Sequence, residues 1–340
     1  MAPRQGWKPK GKPTGRKNPP SGTDADINLA TLLPILNDET KAREFLEQKR
    51  WPNGPVCSHC GSTEAYRLTA KEGSKSPVRP GVCKCKKCRK QFTIRTGSIF
   101  EDSKLPLHKW LMAIHLMCAG KAGISSHELA RLLDITQKSA WFVEHRIREA
   151  MKMEPLAGML SGTIETDETY IGARFRRYPR RGKKRGPTGD SKAPVLALVE
   201  RGGKAVAFPI ERSTAKTLKG SIRTLADSSS TIMTDQSKCY ANIGDDFGGR
   251  HHTVNHSKDE YVRYEQCGEV IVSTNTVESF FARIKRSFIG VHHQMSRRHL
   301  HRYVTEAEFK WNSRDVSDGA RMVQAIKGAG GRRLMYRDPK

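Results

Sequence analysis

The sequence predicts an α/β fold, a mixed sheet flanked by helices, preceded by a small paired-cysteine unit and a helical segment. Three observations carry this reading. Short β-type runs alternate with helical periodicity from residue 162 to 314, two Cys-x2-Cys pairs lie between residues 57 and 88, and residues 105–152 keep a helical period throughout. The 340 residues leave room for two or three such units, and the formal net charge is +26. Such an excess points to a polyanionic partner, and a nucleic acid fits better than a membrane. The longest apolar run, Leu111 to Ala119, is broken by His115 and falls far short of the roughly 20 residues a spanning helix needs. The N-terminal stretch has no apolar core of the secretory kind, so a cytoplasmic chain is expected, with cysteines serving as metal ligands or buried thiols.

The elements follow in order. Residues 1–27 read as a disordered basic arm, with Arg4, Lys8, Lys10, Lys12, Arg16 and Lys17 and no acid before residue 24. Residues 28–55 form a helical lead-in, with Asn37 or Asp38 as the cap before Phe45 and Leu46. Residues 56–97 carry Cys57-Ser-His-Cys60 and Cys85-Lys-Lys-Cys88, with 24 residues between the pairs. Each pair presents two thiolates from one tight turn, and four such ligands suit tetrahedral zinc in a zinc ribbon. Cys83 offers a competing thiol beside Cys85, and His59 a weaker substitute. Residues 98–155 form a helix-turn-helix-like unit: Ser125 and Glu128 make a capping box, Asp134 to Thr136 a break, and Thr136 a second cap. In that geometry Gln137, Lys138 and Ser139 face a DNA groove; the same pattern also serves trihelical packs with no nucleic-acid role. Residues 316–340 read as a basic tail.

Residues 160–315 hold the sheet. Alternation along Thr163–Gly172 puts Glu165, Asp167 and Thr169 on one face. Asp235 ends the strand of residues 230–235 at its carboxyl edge, where α/β sheets place their chemistry. Glu278 opens a helix whose core stripe is Val277, Phe280, Phe281, Ile284 and Phe288, with Glu278, Ala282 and Lys285 on the adjoining stripe. Two strand aspartates and a helical glutamate suit hard divalent cations such as Mg²⁺ or Mn²⁺, which prefer carboxylate oxygens. A basic run between Arg174 and Lys192, including Arg174, Arg176 and Arg177, reads as a loop for phosphate contacts.

Together these motifs resemble a family. The paired cysteines, the helical segment, Asp167 to Gly172, Asp235 with Tyr240, Val254 to His256, Asn275 to Arg286, and the closing stretch from His299 to Arg314 are similar to bacterial DDE insertion-sequence transposases with an N-terminal zinc ribbon and an ISXO-type catalytic domain. The resemblance spans roughly residues 38–315. It implies an RNase H-like fold with a metal triad at Asp167, Asp235 and Glu278. It also implies DNA contacts at Lys285 and Arg286, binding to terminal inverted repeats and target DNA, nicking followed by strand joining, and a dimer or larger assembly without membrane association. Gln236, Ser273-Thr274 and Phe280-Phe281 depart from the family's usual residues. His256 either orients a phosphate or carboxylate or serves the fold. Two other functions use the same residues: a DNA-binding regulator with an inactive catalytic domain, and an RNase H-like nuclease or resolvase that cuts without joining.

Overall fold

A computed structural model describes residue 24 and residues 27–69, 78–152, 160–172, 192–258, 260–265 and 270–335. The basic arm apart from Asp24 and Ile27, and the run holding Arg174, Arg176 and Arg177, lie outside the described residues. No helix among the described residues is long and apolar enough to cross a membrane.

The chain opens with α1 (Leu29–Leu36) and α2 (Glu39–Arg50). Asn28 caps the first, and Asp38 caps the second by accepting from the Thr40 and Lys41 N–H groups at 2.7 and 3.1 Å. A three-stranded antiparallel sheet follows, β1 (Ala65–Arg67), β2 (Cys83–Cys85) and β3 (Gln91–Phe92). Next come α3 (Leu107–Ala119), α4 (Ser126–Leu133) and α5 (Gln137–Ala150). Ser125 accepts from the Glu128 N–H and Thr136 from the Ser139 N–H, so both predicted caps are made. Between them Asp134 takes the left-handed conformation at φ 49°, which a short polar side chain tolerates and which ends α4 sharply.

The larger unit contains β4 (Thr163–Gly172), β5 (Lys192–Glu200), β6 (Ala205–Pro209), α6 (Ala215–Leu225), β7 (Thr231–Asp235) and β8 (His251–Val254). A hairpin of β9 (Val262–Glu265) and β10 (Val270–Ser273) leads into α7 (Asn275–Ser287), α8 (Leu300–Asn312) and α9 (Asp318–Lys327). The main sheet runs β6-β5-β4-β7-β8, with β6, β5 and β4 antiparallel and β4, β7 and β8 parallel. Strand parity sorts its two faces. Leu196 and Leu198 of β5 join Ile164, Ile232, Leu218 and Ile222 under α6. Ala193, Val195, Ala197 and Val199 join Val277, Phe280, Ile284 and Val304 under α7 and α8. Burial on both faces explains why β5 reads as an unbroken apolar run.

The C-terminal region corrects the sequence reading. Within the stretch predicted as a basic tail, residues 318–327 form α9, capped by Ser317. Met322, Ala325 and Ile326 are buried in one cluster with Leu46, Trp110, Leu111 and Ile147 from the N-terminal helices. A Cβ at Gly328 would run into the Ala150 carbonyl oxygen, which shows how tightly the end of α9 meets the end of α5. The chain therefore returns through α9 to its first core.

A buried charge cluster ties α5 to α8. Arg148 donates to Glu306 at 2.8 Å and to Glu144 at 3.3 Å, and Lys310 donates to Glu306 at 2.6 Å. Burial alone would raise the Glu306 pKa, but Lys310 and Arg148 hold it well below the usual carboxylate range. Glu144, with a weaker share of Arg148, is pushed up to about 7 by burial.

If α9 is core, Ile326→Ala should cost about 2–5 kcal/mol, seen as a lower urea midpoint. Leu132→Ala, on the exposed side of α4, should stay within about 0.5 kcal/mol of the parent.

Candidate active site and zinc centre

The cysteine site is built by two turns facing each other. Cys57, Cys60, Cys85 and Cys88 place their sulfurs within 4.8 Å of one another. Cys57 and Cys88 lie 3.6 Å apart, as do Cys60 and Cys85. Four thiolates at 2.3 Å from a tetrahedral zinc would be about 3.8 Å apart, so spacing and donor type both fit that ion. The Cys88 N–H donates to Cys85 Sγ at 3.5 Å and pulls the Cys85 thiol down to about 6, toward the ligating thiolate. The choice left open between Cys83 and Cys85 is decided by position along β2, since the two share a face but only Cys85 sits at the end that meets the other turn. Cys83 is buried two residues earlier on β2, paired with Arg67 and Phe92, and outside the group. His59 is also outside it and reaches the Gln91 carbonyl instead. Cys118 is a buried thiol and Cys239 a half-buried one, while Cys267 lies outside the described residues.

The acidic site is built by the sheet. β4 and β7 pair in parallel with Ile164 opposite Ile232 and Glu165 opposite Met233. The paired register ends there; Asp167 lies two residues further along β4 and Asp235 two further along β7, on adjacent strands that lie about 4.8 Å apart where they pair. Both aspartates have the parity of the α7 face, opposite to Ile164 and Ile232 under α6. Asp167 accepts from the Glu168 N–H at 2.8 Å and Asp235 from the Ser237 N–H at 3.2 Å. Burial pushes the Asp167 carboxyl up to about 7, and the charges of Asp235, Glu168 and Glu278 add to the rise. Asp235 is raised as well, by burial first.

Glu278 comes from the first turn of α7, and its placement depends on a residue the sequence reading put on the right face but gave no role. Glu165 of β4 is fully buried and accepts from the N–H groups of Thr276 and Val277 at 2.6 and 3.1 Å and from the Thr276 hydroxyl at 2.9 Å. It caps α7 from across the sheet, since Thr274 at the N-cap makes no side-chain cap bond. Arg201 donates to Glu165 at 2.6 Å and to the Ser273 carbonyl at 3.0 Å, locking the strand that feeds the helix. His256 Nε2 lies 3.2 Å from Glu278 Oε1 and 3.1 Å from Thr274 Oγ1, so of its two readings the carboxylate-facing position is the observed one. Glu168, on the other face, accepts from Tyr240 and, at 2.7 Å, from Ser213.

The three acids thus share one face of the sheet. Among the described residues the four cysteines are the group drawn close enough to enclose an ion as they stand. The Glu278 side chain is 45% exposed, which leaves its rotamer room to change. Asp167, Asp235 and Glu278 offer an all-oxygen donor set in which the other two acids raise the buried Asp167, a charge that a hard divalent cation relieves, so they fit Mg²⁺ or Mn²⁺.

The predicted DNA-facing residues fall in two places. Gln137, Lys138 and Ser139 are exposed at the start of α5, with Gln137 donating to Ser126 at 2.9 Å. Lys285 and Arg286 are exposed in the last turn of α7.

Strand order, the faces of the sheet and the acids beside α7 define the RNase H-like class. Two family models match the sequence, an ISXO2-like transposase domain over residues 159–312 and a transposase zinc-ribbon domain over residues 37–91. A curated relative, an uncharacterized protein in transposable element ISH50 of Halobacterium salinarum, is 28% identical over 285 residues, 80% of this chain and 91% of that one. The chain thus carries a transposase zinc-ribbon domain followed by an ISXO2-like transposase domain. Two solved structures are more distant. The Mos1 strand transfer complex is 12% identical, with TM-score 0.28, over 67% of this chain and 78% of that one. A pre-cleavage Mos1 transpososome is 12% identical, with TM-score 0.21, over 88% and 96%.

The cysteine assignment predicts one zinc per chain by elemental analysis. Cys85→Ser should lose it, whereas Cys83→Ser should retain it; zinc loss in Cys83→Ser alone would reverse the assignment.

Proposed function

We propose that the chain is a DNA transposase that binds terminal inverted repeats, nicks the element ends and joins the freed 3′-hydroxyl to target DNA. The observation that carries this is that the charges of Asp235, from an adjacent parallel strand, and of Glu278, from α7, both act on Asp167, in a chain of net charge +26. The cations suit DNA and the clustered acids suit a divalent ion. Asp167, Asp235 and Glu278 would hold Mg²⁺ or Mn²⁺, which when bound stabilises charge at phosphorus and makes an attacking oxygen more acidic. In the first step a water oxygen bonds to phosphorus and the bond to the 3′ oxygen breaks, leaving a 3′-hydroxyl and a 5′-phosphate. In the second that hydroxyl oxygen bonds to a target phosphorus, and the target's own 3′ oxygen leaves.

This chain's own residues divide the remaining work. Glu165 and Arg201 hold α7 in place, and His256 stands against Glu278. Exposed Lys285 and Arg286 lie on α7 beside Glu278 and are proposed to touch the transposon end. Gln137, Lys138 and Ser139 present the start of α5 to a groove. Arg174, Arg176 and Arg177 are proposed to grip flanking backbone. Two ends must be brought together for joining, which calls for a dimer or larger assembly on DNA in the cytoplasm.

The test is an oligonucleotide carrying the element end, incubated with Mg²⁺. Asp235→Asn should reduce nicking about 100-fold or more, and nicking at the parent rate would refute the proposal. Because a proton on Asp167 competes with the metal, and its pKa without metal is raised to about 7, activity at low Mg²⁺ should climb as pH rises toward that value, and added Mg²⁺ should move the climb to lower pH. A strand-transfer product separates a transposase from a nuclease, and no cleavage at all would favour the DNA-binding regulator.

A further inference from the structure

Where the helical unit meets the larger unit lies a cleft of about 730 Å³, walled by the loop after α3, one face of α7, the end of α8 and the start of α9. Lys121, Arg283, Arg286, Lys310, Arg314 and Arg321 line it, against one acid, Asp318. These cations are not equivalent. Lys310 is neutralised by buried Glu306. Arg314 donates to the carbonyls of Gly202 and Gly203 at 3.0 and 2.9 Å, and Arg321 to those of Cys118 and Ser313, both at 2.9 Å. Carbonyls fix a guanidinium without cancelling its charge, so Arg314 and Arg321 supply a preorganised positive field. Asp318 offsets part of it through a 2.7 Å pair with Arg321, and exposed Asp315, 3.8 Å from Arg314, a smaller part.

Lys121, Arg283 and Arg286 have no carboxylate partner among the described residues. Arg283 is half-buried over the Trp311 ring at 5.8 Å, with Arg314 at 5.2 Å from the same ring. Burial lowers its pKa, and every charge acting on it, from Arg321, Arg286 and Arg314, lowers it further. A half-buried guanidinium among cations lacks an anion.

We propose that this cleft seats a backbone phosphate of DNA, gripped by Arg283 and Lys121 in the field of Arg314 and Arg321. The inference rests on the DNA reading above and adds a binding site to it. Arg283 stands five residues beyond Glu278 on α7, about 7.5 Å along the axis and about 140° around it, so the cleft opens on a different face of the helix from Glu278. Ser279 and Arg286 of α7 line it together with the loop after α3, so a strand seated there touches the helical unit and α7 at once. Its volume far exceeds what a free phosphate needs, which favours a polymer.

The experiment measures binding of the full chain to a DNA duplex of arbitrary sequence across a salt series, with pyrophosphate as a small-anion probe. Arg283→Gln and Lys121→Ala should each weaken duplex binding roughly three- to tenfold and lower the slope of log K against log salt by about 0.9. Arg283→Lys should keep most of that slope. Lys216→Ala, on α6 across the sheet, should change neither quantity. Lys121 is exposed on a loop, so its variant reports even where Arg283→Gln fails to fold. Unchanged slopes in both variants, or an equal loss in Lys216→Ala, overturn the proposal. So does pyrophosphate binding that needs Arg283 while the duplex slope stands. The slope is read without cleavage: a chain that never nicks DNA can still confirm the cleft, and one that nicks normally with both slopes unchanged refutes it.

Discussion

The acidic site depends on one buried carboxylate that does not belong to the triad. Glu165 accepts two backbone N–H groups and a hydroxyl from the start of α7 and pairs with Arg201. The helix dipole and the unsatisfied N–H groups of a first turn attract an anion, and here the anion comes from the strand that also carries Asp167. Two residues apart on β4, one carboxylate positions the helix that carries Glu278 and the other feels that acid's charge. Buried ion pairs often add little net stability; their firmer contribution is to exclude other arrangements. Rotation or translation of α7 along the sheet would strip the buried Glu165 of its three α7 donors and leave it Arg201 alone.

The same logic separates acids from cations elsewhere in the molecule. Buried carboxylates of the α5–α8 contact are matched by Arg148 and Lys310, which leaves that contact internally neutralised. On the face carrying Asp167, burial and the charges of Asp235, Glu168 and Glu278 raise that carboxyl; in the cleft, burial and the charges of Arg321, Arg286 and Arg314 lower Arg283. A buried carboxylate among acids and a half-buried guanidinium among cations are each costly in an isolated protein. They are relieved together when a cation and a phosphate backbone arrive, which is the arrangement phosphodiester chemistry requires.

Much of this was legible in the chain because the relevant signals are local. Caps at Asp38, Ser125 and Thr136, the apolar run of β5 and the two cysteine turns each sit within a few residues of what they organise. Strand parity alone put Glu165 and Asp167 on a common face. The role of Glu165 was not legible, because its partners lie 111 and 112 residues away and nothing near Thr274 signals a missing cap. The β9–β10 hairpin was missed because the exposed side chains of Tyr264 and Ile271 lack the core-facing alternation of the main strands. Charge misled at the C-terminus: the basic stretch at its end led residues 316–340 to be read as one loose tail, although Met322, Ala325 and Ile326 recur at helical spacing and fill the first core. The cationic cleft was invisible for a related reason, since its cations come from separate elements that only tertiary packing gathers.

The most direct measurement is anomalous diffraction from crystals of the chain soaked in Mn²⁺. The account predicts a peak between Asp167 and Asp235, with Glu278 turned in to complete the ligand set and the Glu165 contact to α7 unbroken. A fully occupied soak with no peak among these carboxylates, or a peak that leaves out both aspartates, would contradict it.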